Sequence, residues 1–436
     1  MTDLLAARSQ MAMSLGFHIL FAVAGMAMPV LMAIAEGMWL RTGDDVYLTL
    51  AKRWSRGTAI LFAVGAVSGT VLSFELGLLW PGFMEFAGPI IGMPFSLEGF
   101  AFFLEAIFLG IYLYGWDRIS PRLHWLAGIG VGVSGVLSGV FVVCANAWMN
   151  SPAGFTMVEG VVTEIRPLEA MLNPAAPTQT THMVLAAFVS VGWAVAAIHA
   201  WRLLKSDSRF HRKALTVALA LAIPATLLQP LSGHMSGEYV AEDQPLKLAA
   251  MEAHWETEGD AALLIGGIVD EEAEETRYAI KIPYALSLLA HRDPHAEVIG
   301  LKEWPPEDRP PVMITHLAFD VMVGAGTFMA AVGAMVLGMA WRARGLPTAR
   351  WLLRLIVACG PLGFLALEAG WVVTEVGRQP WVARGLLRTA DAVTPMPGLI
   401  VPFTTFTLLY LFLGWVVIVL LKRHVLAADD GEDDHA

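Results

Sequence analysis

The sequence predicts an all-α integral membrane protein, a bundle of nine transmembrane helices with one long extracytoplasmic loop. Of the 436 residues, 56% are hydrophobic and only 15% are charged, a composition too apolar for an ordinary soluble protein. A span needs about 20 mainly apolar residues to cross the hydrocarbon core of a bilayer, and nine runs meet that length. They are centred near Ala24, Val67, Ile107, Ser134, Val191, Ala220, Ala330, Leu365 and Leu409.

These runs divide the chain into four parts. Residues 1–232 carry helices one to six, 233–312 form the long loop, 313–424 carry helices seven to nine, and 425–436 form an acidic cytoplasmic tail. The first run is too long for the apolar region of a signal peptide and lacks a basic leader, so we expect it to be retained. The net charge of −11 lies largely in acidic stretches, which argues against nucleic acid as a partner.

Lysine and arginine predict the orientation, because short cytoplasmic loops are enriched in both. Basic residues cluster in the connections between spans one and two, three and four, five and six, and seven and eight. We therefore expect the N-terminus outside and the C-terminus in the cytoplasm. Arg378, Arg384 and Arg388 run against this bias on the outer side, which makes them candidates for binding an anionic group.

The long loop carries two local patterns. The segment "EDQPLKLAAMEAHWETE" is typical of an amphipathic helix opened by Asp243 or Gln244 and Pro245, while "RYAIKIP" has the alternation of a short strand. Long ordered loops are often functional. The alternative, a solvated insert that covers the mouth of the bundle, has equal weight at this point.

Four possible metal ligands share the outer leaflet. His18 lies in span one, His182 opens span five, Met322 lies early in span seven, and Glu375 ends span eight. Imidazole, thioether and occasionally carboxylate bind haem iron axially, and a His/Met pair favours electron transfer. Taken singly, a membrane histidine is more often a hydrogen bonder between helices and a methionine is more often core filler. The shared depth favours a cofactor.

Two pairs of carboxyl groups repeat at a spacing of seven residues. Glu98 and Glu105 lie along span three, and Glu368 and Glu375 along span eight. Residues seven apart share one helix face. Each acid could simply be neutral and hydrogen-bonded between helices, but aligned pairs on two helices favour a path for protons.

The outer end of span eight carries a cation and an indole in the stretch "EVGRQPW". Arg378 has the fixed fork of donors that suits a carboxylate such as a haem propionate, and Trp381 suits the membrane interface. This end of the span is therefore predicted to bind a cofactor.

At these residues the chain resembles a known family. The stretches "RSQMAMSLGFHILFAV", "GTVLSFELGLLWPGF", "SLEGFAFFLEAIFLGIYLYGWDR", "LKLAAMEAHWET" and "EVGRQPW" are similar to subunit I of cytochrome bd-type quinol oxidases, nearest to the cyanide-insensitive branch with a short quinol loop. The resemblance spans all nine helices and the loop. It implies a bacterial inner membrane, a second subunit as partner, and oxidation of quinol by O2 to give water, with a small single-helix subunit as a further candidate partner.

The resemblance also implies three haems and a role for each motif. A low-spin haem b would have His182 and Met322 as axial ligands. A high-spin haem b and a haem d, or a further b-type haem, would form the O2 site with His18 and Glu375. The resemblance further implies acids on the proton route (Glu98, Glu105), a quinol site in the loop (Lys247, Glu252) and a signature arginine (Arg378). Glu105 and Glu368 are the predicted proton relays, and the enzyme would build proton motive force by vectorial release and uptake without pumping.

Three features depart from the more familiar members of that family. Asp320 stands where they have an arginine two residues before the axial methionine, so a cation near the low-spin haem is expected to be missing. The two acids of span three are one residue closer together, which changes the helix phase by about 100°. Lys247 and Glu252 are five apart, about 140° around a helix, so both reach one quinol only if the helix is irregular or the ring lies across it.

Two other function classes stay open on the residues alone. A proton-coupled secondary transporter would also use acids near the membrane centre, although no inverted repeat or pair of broken helices is evident. A non-catalytic haem b anchor for a partner dehydrogenase would need a ligand pair but neither Glu375 nor the two carboxyl pairs.

Overall fold

A computed structural model of the protein describes residues 1–426, and in that part nine helices are long and apolar enough to cross a membrane. The predicted fold class is confirmed, whereas the predicted acidic tail lies, from residue 427, outside the described residues. The helices are α1 (Asp3–Thr42), α2 (Asp45–Leu79), α3 (Pro81–Tyr114), α4 (Pro121–Asn150), α5 (Pro167–Met171), α6 (Ala176–Lys205), α7 (Arg209–Asp243), α8 (Pro245–Met251), α9 (Ala285–His291), α10 (Val312–Ala343), α11 (Arg350–Val376), α12 (Thr389–Ala392) and α13 (Ile400–Leu421). Helices α5, α8, α9 and α12 are the short ones and lie in connections.

Local signals explain where the long helices begin. The side chains of Thr2, Asp44, Ser120 and Ser208 cap α1, α2, α4 and α7 by accepting a hydrogen bond from a first-turn amide, as N-cap residues commonly do. Helices α3, α4 and α8 have proline in the first turn, where its missing N–H costs no hydrogen bond.

The spans pack as two neighbouring groups. Helices α1 to α4 form one, in which α1 packs along α2 and α4 and α3 packs along α4. Helices α6, α7, α10 and α11 form the other, and α6 joins the two through contacts with α1 and α4. The main hydrophobic core runs through both groups and includes fully buried side chains such as Leu31 and Trp193. The cofactor-ligand candidates of the two groups are therefore held in one packed body.

Four spans leave most of their apolar surface uncovered. The most hydrophobic windows of α2, α3, α10 and α13 are only 17%, 22%, 22% and 11% buried, against 61% in α6. Apolar faces of this size belong against lipid or another membrane protein. These helices therefore form the periphery of the chain.

The long loop begins later than the sequence predicts, because α7 continues to Asp243. Helix α8 starts at Pro245 as expected but ends at Met251, and its residues from Lys247 to Met251 are all buried. The predicted amphipathic helix is therefore wrong in length and in its exposed face. Ala253, with φ +47°, turns the chain out of the helical conformation.

Eight short strands complete the described elements. They are β1 (Thr156–Val158), β2 (Val161–Thr163), β3 (Leu263–Ile265), β4 (Ile268–Asp270), β5 (Glu275–Arg277), β6 (Ile280–Ile282), β7 (Trp381–Ala383) and β8 (Leu387–Arg388). In the loop, β4 pairs with β5 inside a β3/β6 pair, so the four make one interrupted ribbon. The strand predicted in "RYAIKIP" is broken at Tyr278, whose φ is +61°.

Candidate functional site

Glu375, whose side chain is 28% exposed, forms an ion pair with the buried Arg378 at the C-terminal end of α11. Arg378 Nη2 donates to Glu375 Oε2 at 2.6 Å, and the amide of Asn146 on α4 donates to the other carboxylate oxygen. Arg378 is only 5% exposed, and its Nε and Nη1 have no hydrogen-bond partner among the described residues. Two unused donors on a buried guanidinium are suited to a further carboxylate.

Lys247 joins the same network from the long loop. Its Nζ donates to Asn150 Oδ1 at 2.9 Å and to the Thr374 carbonyl at 3.3 Å. Burial, together with the nearby Arg378 cation, lowers the pKa of Lys247 to about 7. The sequence interpretation places Lys247 at a quinol site, and the structure places its ammonium beside the residue that precedes Glu375.

Two asparagines of this network escaped the sequence analysis. Asn146 and Asn150 are four residues apart on α4, and the amide of Asn150 donates to the Asn146 carbonyl at 3.0 Å. Such a spacing puts both on one helix face. The signal was present in "CANAWMN", where two amides recur at the end of an otherwise apolar span.

His182 has one ring nitrogen committed to a serine. Its Nδ1 lies 2.8 Å from Ser232 Oγ on α7, and the amide of Gln229 lies 3.1 Å from Nε2. A Cβ at Gly233 would come within 3.4 Å of the ring. A second hydrogen bond that fixes the orientation of the ring is the usual arrangement for a metal-binding histidine.

Met322 faces a glycine in a comparable way. A Cβ at Gly370 on α11 would lie 3.1 Å from Met322 Sδ. Met322 is on α10, and α10 packs against both α7 and α11. His182 and Met322 are therefore in the same group of helices, and each packs against a glycine, at the imidazole edge of His182 and at Sδ of Met322.

His18 lies in the first half of α1, and Glu368 of α11 reaches the same part of that helix. His18 Nδ1 lies 3.0 Å from Ser68 Oγ, and a Cβ at Gly69 would come within 2.9 Å of the ring. A Cβ at Gly16 would lie 3.3 Å from Glu368 Oε2. The structure thus brings a carboxyl group of α11 to α1 two residues from His18.

The two acids of α3 differ in burial. Glu105 is 6% exposed and lies between α1 and α4, where Cβ atoms at Gly25 and Gly135 would come within 3.1 and 3.2 Å of its carboxyl group. Glu98, two turns nearer the beginning of α3, is half-buried. Glycines on both neighbouring helices therefore make the space that Glu105 occupies.

Glu252 and Asp320 face each other where the loop meets α10. Burial, and then the Asp320 charge, raise the pKa of Glu252 to about 8. Asp320 Oδ2 accepts from the Gly266 amide at 2.6 Å, so the aspartate fixes the loop to the helix. Lys247 points to α4 and α11 instead, and the irregular end of α8 separates the two predicted quinol residues.

A buried histidine, His316, lies beside Asp320. His316 is fully buried, with Nδ1 2.8 Å from the Met251 carbonyl and Nε2 3.0 Å from the Gly266 carbonyl. Carbonyl oxygens only accept, so both contacts are hydrogen bonds when both nitrogens carry protons. Nε2 also lies 3.6 Å from Asp320 Oδ2. The sequence analysis missed this residue, which lies one turn before Asp320.

Trp381 lies in the β7/β8 pair beyond α11. The guanidinium of Arg388 lies 4.7 Å from the centre of its ring, a cation–π contact. The peptide bond between Gln379 and Pro380 is cis. Of the outer basic cluster, Arg384 pairs with Asp243 at 2.7 Å and Arg388 with Asp308, which leaves Arg378 as the member with unused donors.

The donor set fits haem. A haem supplies its own equatorial nitrogens, so single axial side chains such as His18, His182, Met322 and Glu375 suffice. Among the described residues no group of three or more His, Cys, Asp or Glu side chains could hold a metal ion by itself. The glycine-lined space at His18, His182 and Met322, and the unused donors of Arg378, agree with that requirement.

The comparisons with known proteins cover almost the whole chain. A family model for cytochrome bd terminal oxidase subunit I matches residues 6–428. A candidate cytochrome bd menaquinol oxidase subunit I from Bacillus subtilis (strain 168) is 39% identical over 98% of this chain and 99% of its own length. A cytochrome bd ubiquinol oxidase subunit 1 from the same organism is 34% identical, over 100% of this chain and 96% of its own length.

A solved structure agrees with these relatives. The bd oxidase from Geobacillus thermodenitrificans contains a chain that superimposes with a TM-score of 0.90 at 41% identity, covering 97% of this chain and 99% of that chain. The match extends over both helix groups and the long loop. This chain belongs to the cytochrome bd terminal oxidase subunit I family.

Proposed function

We propose that this chain is the haem-carrying subunit of a terminal quinol oxidase of a bacterial membrane, which oxidises membrane quinol and reduces O2 to water. The observation that carries the proposal is the pairing of Glu375 with a buried Arg378 that has two unused guanidinium donors, in a chain of this family. Neither a transporter nor a haem b anchor requires that arrangement. When bound, the haems would supply the electron transfer from quinol to O2.

The axial residues divide between two places. His182 and Met322 would hold the low-spin haem b, with Ser232 fixing the imidazole through Nδ1. His18 and Glu375 would belong to the site of the high-spin haem b and the haem d, or further b-type haem, and Ser68 would orient His18. Arg378 would hold a propionate with its two free donors.

The loop would supply the quinol site. Glu252, buried and next to Asp320, is positioned to accept a proton from a quinol hydroxyl, and Lys247 connects the loop to the network around Glu375. Trp381 would close the outer surface of this region. Since the N-terminus and the loop are expected outside, protons from quinol would be released to the outer side.

The proton supply for water would come from the cytoplasm. The relays would be Glu105, which is enclosed by α1, α3 and α4, and Glu368, which lies beside α1. They would pass protons from the cytoplasm towards the O2 site, with Glu98 nearest that site. Release outside and uptake inside then contribute to the proton motive force without pumping. A second subunit, and a further single-helix subunit, would cover the exposed faces of α2, α3 and α13.

The proposal is tested on the purified complex of this chain with its second subunit. We expect a reduced-minus-oxidised spectrum with low-spin b haem, a CO-reactive high-spin signal, and O2 consumption driven by quinol. In proteoliposomes the reaction should generate a membrane potential. Absence of haem from the folded complex would favour the transporter, and haem without O2 consumption would favour the anchor.

The rate of quinol oxidation should depend on the protonation of Glu252. Because the pKa of Glu252 is raised to about 8, the acid form that predominates below that pH cannot accept a quinol proton. The rate of haem reduction by quinol should therefore rise as the pH increases towards 8, by about tenfold per pH unit well below the pKa, and level off above it.

Variants separate this effect from that of the neighbouring lysine. Glu252→Gln should abolish the rise. Lys247→Gln should leave it in place, because Lys247 has its own pKa, near 7, and belongs to a different hydrogen-bond network. Stopped-flow reduction measured from pH 6 to pH 9 reports both. An unchanged pH profile in Glu252→Gln would remove this glutamate from the proton step.

A further inference from the structure

A buried acid–imidazole pair lies at the opposite end of the bundle from the candidate haem ligands. Glu36, near the end of α1, and His124, in the second turn of α4, are 0% and 2% exposed. Glu36 Oε1 lies 2.8 Å from His124 Nδ1. This end of α1 is the one expected to face the cytoplasm, and neither residue takes part in the sites described above.

The hydrogen bonds of His124 fix the number of protons in the pair. His124 Nε2 lies 2.8 Å from the Tyr112 carbonyl, which is among the last carbonyls of α3 and so has no partner within its helix. That oxygen only accepts, so Nε2 carries a proton. The contact between Nδ1 and Glu36 Oε1 then requires one more proton, placed on either atom. The pair shares a proton whose position can change without moving a heavy atom.

Tyr112 connects this pair to the acids of α3. Its hydroxyl and Glu36 Oε2 are both buried and miss ideal hydrogen-bond geometry, yet the two groups are close enough for hydrogen-bonding and charge interactions between them. A small shift of either side chain, or one bridging water, would join them. Tyr112 stands seven residues after Glu105, as Glu105 stands seven after Glu98, so the three share one helix face at steps of about 10 Å.

Helix α4 is shaped to accommodate that face. A Cβ at Gly128 would lie 2.7 Å from the Tyr112 ring, and one at Gly135 would lie 3.2 Å from the Glu105 carboxyl carbon. These two glycines are also seven apart, in the reverse order that antiparallel helices require. The row of polar side chains on α3 therefore packs directly along a row of small residues on α4.

We propose that Glu36, His124 and Tyr112 form the cytoplasmic entry of the proton path that feeds Glu105. The shared proton moves from His124 Nδ1 to Glu36, a proton leaves the Glu36 carboxyl group by way of the Tyr112 hydroxyl towards Glu105, and a proton from the cytoplasm replaces the one lost from His124 Nδ1. The pair then again holds its Nε2 proton and one shared proton. Only protons move in these steps, and the proposal rests on the oxidase function proposed above.

The entrance is covered by an aromatic residue that borders the surface. The Trp116 ring lies 3.8 Å from the His124 ring, centre to centre, and Lys52 Nζ lies 5.1 Å from the Trp116 ring. Asp117 and Arg118, which follow, are exposed. His124 is therefore one side chain away from water, while Glu36 is enclosed behind it.

The test compares Glu36→Gln with wild type in the complete two-subunit oxidase. We expect unchanged haem content and unchanged reduction of the haems by dithionite, but quinol-driven O2 consumption slower by about tenfold or more. Proton uptake, followed with a pH indicator, should slow in parallel, and the solvent deuterium isotope effect should increase. Tyr112→Phe keeps the ring against Gly128 and should slow both rates in the same direction.

The matched control removes a different bond between the same two helices. Trp125 Nε1 donates to the Ala33 carbonyl at 2.9 Å, so Trp125→Phe weakens the α1–α4 contact next to the pair without changing a titratable group. It should retain wild-type turnover and proton uptake. If Glu36→Gln fails to assemble with haem, the rates of O2 consumption and proton uptake in Tyr112→Phe test the proposal instead.

Two results would contradict the proposal in different ways. Wild-type proton uptake in both Glu36→Gln and Tyr112→Phe would make the pair a structural contact between α1 and α4. A wild-type complex that consumes no O2 with quinol would instead refute the oxidase function itself. The first result leaves the oxidase function standing, so the two failures are distinguishable.

Discussion

Replacing His182 with alanine is expected to remove the low-spin b signal from the reduced-minus-oxidised spectrum and to leave a CO-reactive high-spin signal. The reason is that Ser232 holds His182 through Nδ1, so that Nε2, which here lies beside the Gln229 amide, would be the axial donor, with Met322 in the same helix group. Quinol-driven O2 consumption should be abolished. Spectra of the purified complex with and without CO provide the measurement.

A second histidine of α6 supplies the control. His199 lies near the other end of that helix, is 6% exposed, and has its Nδ1 2.9 Å from His211 Nδ1. His199→Ala removes a buried imidazole of the same helix and should retain the low-spin signal. Ser232→Ala should have an intermediate effect, since loss of a second-sphere partner lowers metal affinity or activity by about 10- to 100-fold. Retention of the low-spin signal in His182→Ala would remove this residue from the ligand set.

Replacing Glu375 with glutamine should abolish O2 consumption and alter the CO-reactive high-spin signal, while the low-spin signal survives. The substitution removes an anionic donor from the proposed O2 site and leaves Arg378 buried without its partner. Breaking a fully buried ion pair on one side costs about 3–5 kcal/mol, and because the Glu375 side chain is 28% exposed we expect a smaller loss here. Haem spectra, O2 consumption and thermal unfolding of the complex measure the three consequences.

The double variant Glu375→Gln with Arg378→Gln separates ligand loss from charge imbalance. Removal of both charges should recover part of the thermal stability without restoring O2 consumption. Asp243→Asn is the matched control, because it breaks the half-exposed pair with Arg384 at the same end of the bundle. A pair of that kind contributes about 0–1 kcal/mol, so both haem signals should persist. Wild-type O2 consumption in Glu375→Gln would contradict the assignment of this carboxylate.

The number and extent of the spans could be predicted because they depend on local physics. Crossing a bilayer needs a long apolar run, and backbone groups in lipid must be satisfied within the helix, so all nine spans follow from composition. Family membership could also be predicted, because its motifs are contiguous in the chain. The end of α8 could not, since its length depends on burial of Lys247 and on the turn at Ala253.

The polar partners of the predicted residues depend on contacts between distant segments. Three hydrogen bonds join residues of different helices: Glu375 with Asn146, Lys247 with Asn150, and Glu36 with His124. No spacing rule connects such residues, because which faces meet is decided by packing. The seven-residue spacing of Glu98 and Glu105 could be read from the sequence. That Tyr112 continues the same row became evident only from its packing against the glycines of α4.

The sequence by itself determined the membrane class, the nine spans, the family and the residues that carry its motifs, since each of these is written in local composition or in short contiguous stretches. The tertiary structure decided which side chains share a buried place: the free donors of Arg378 beside Glu375, the separate surroundings of Lys247 and Glu252, and the proton-sharing pair of Glu36 and His124. The physical reason is that a buried polar group must find its partner in space, and helix packing alone supplies that partner.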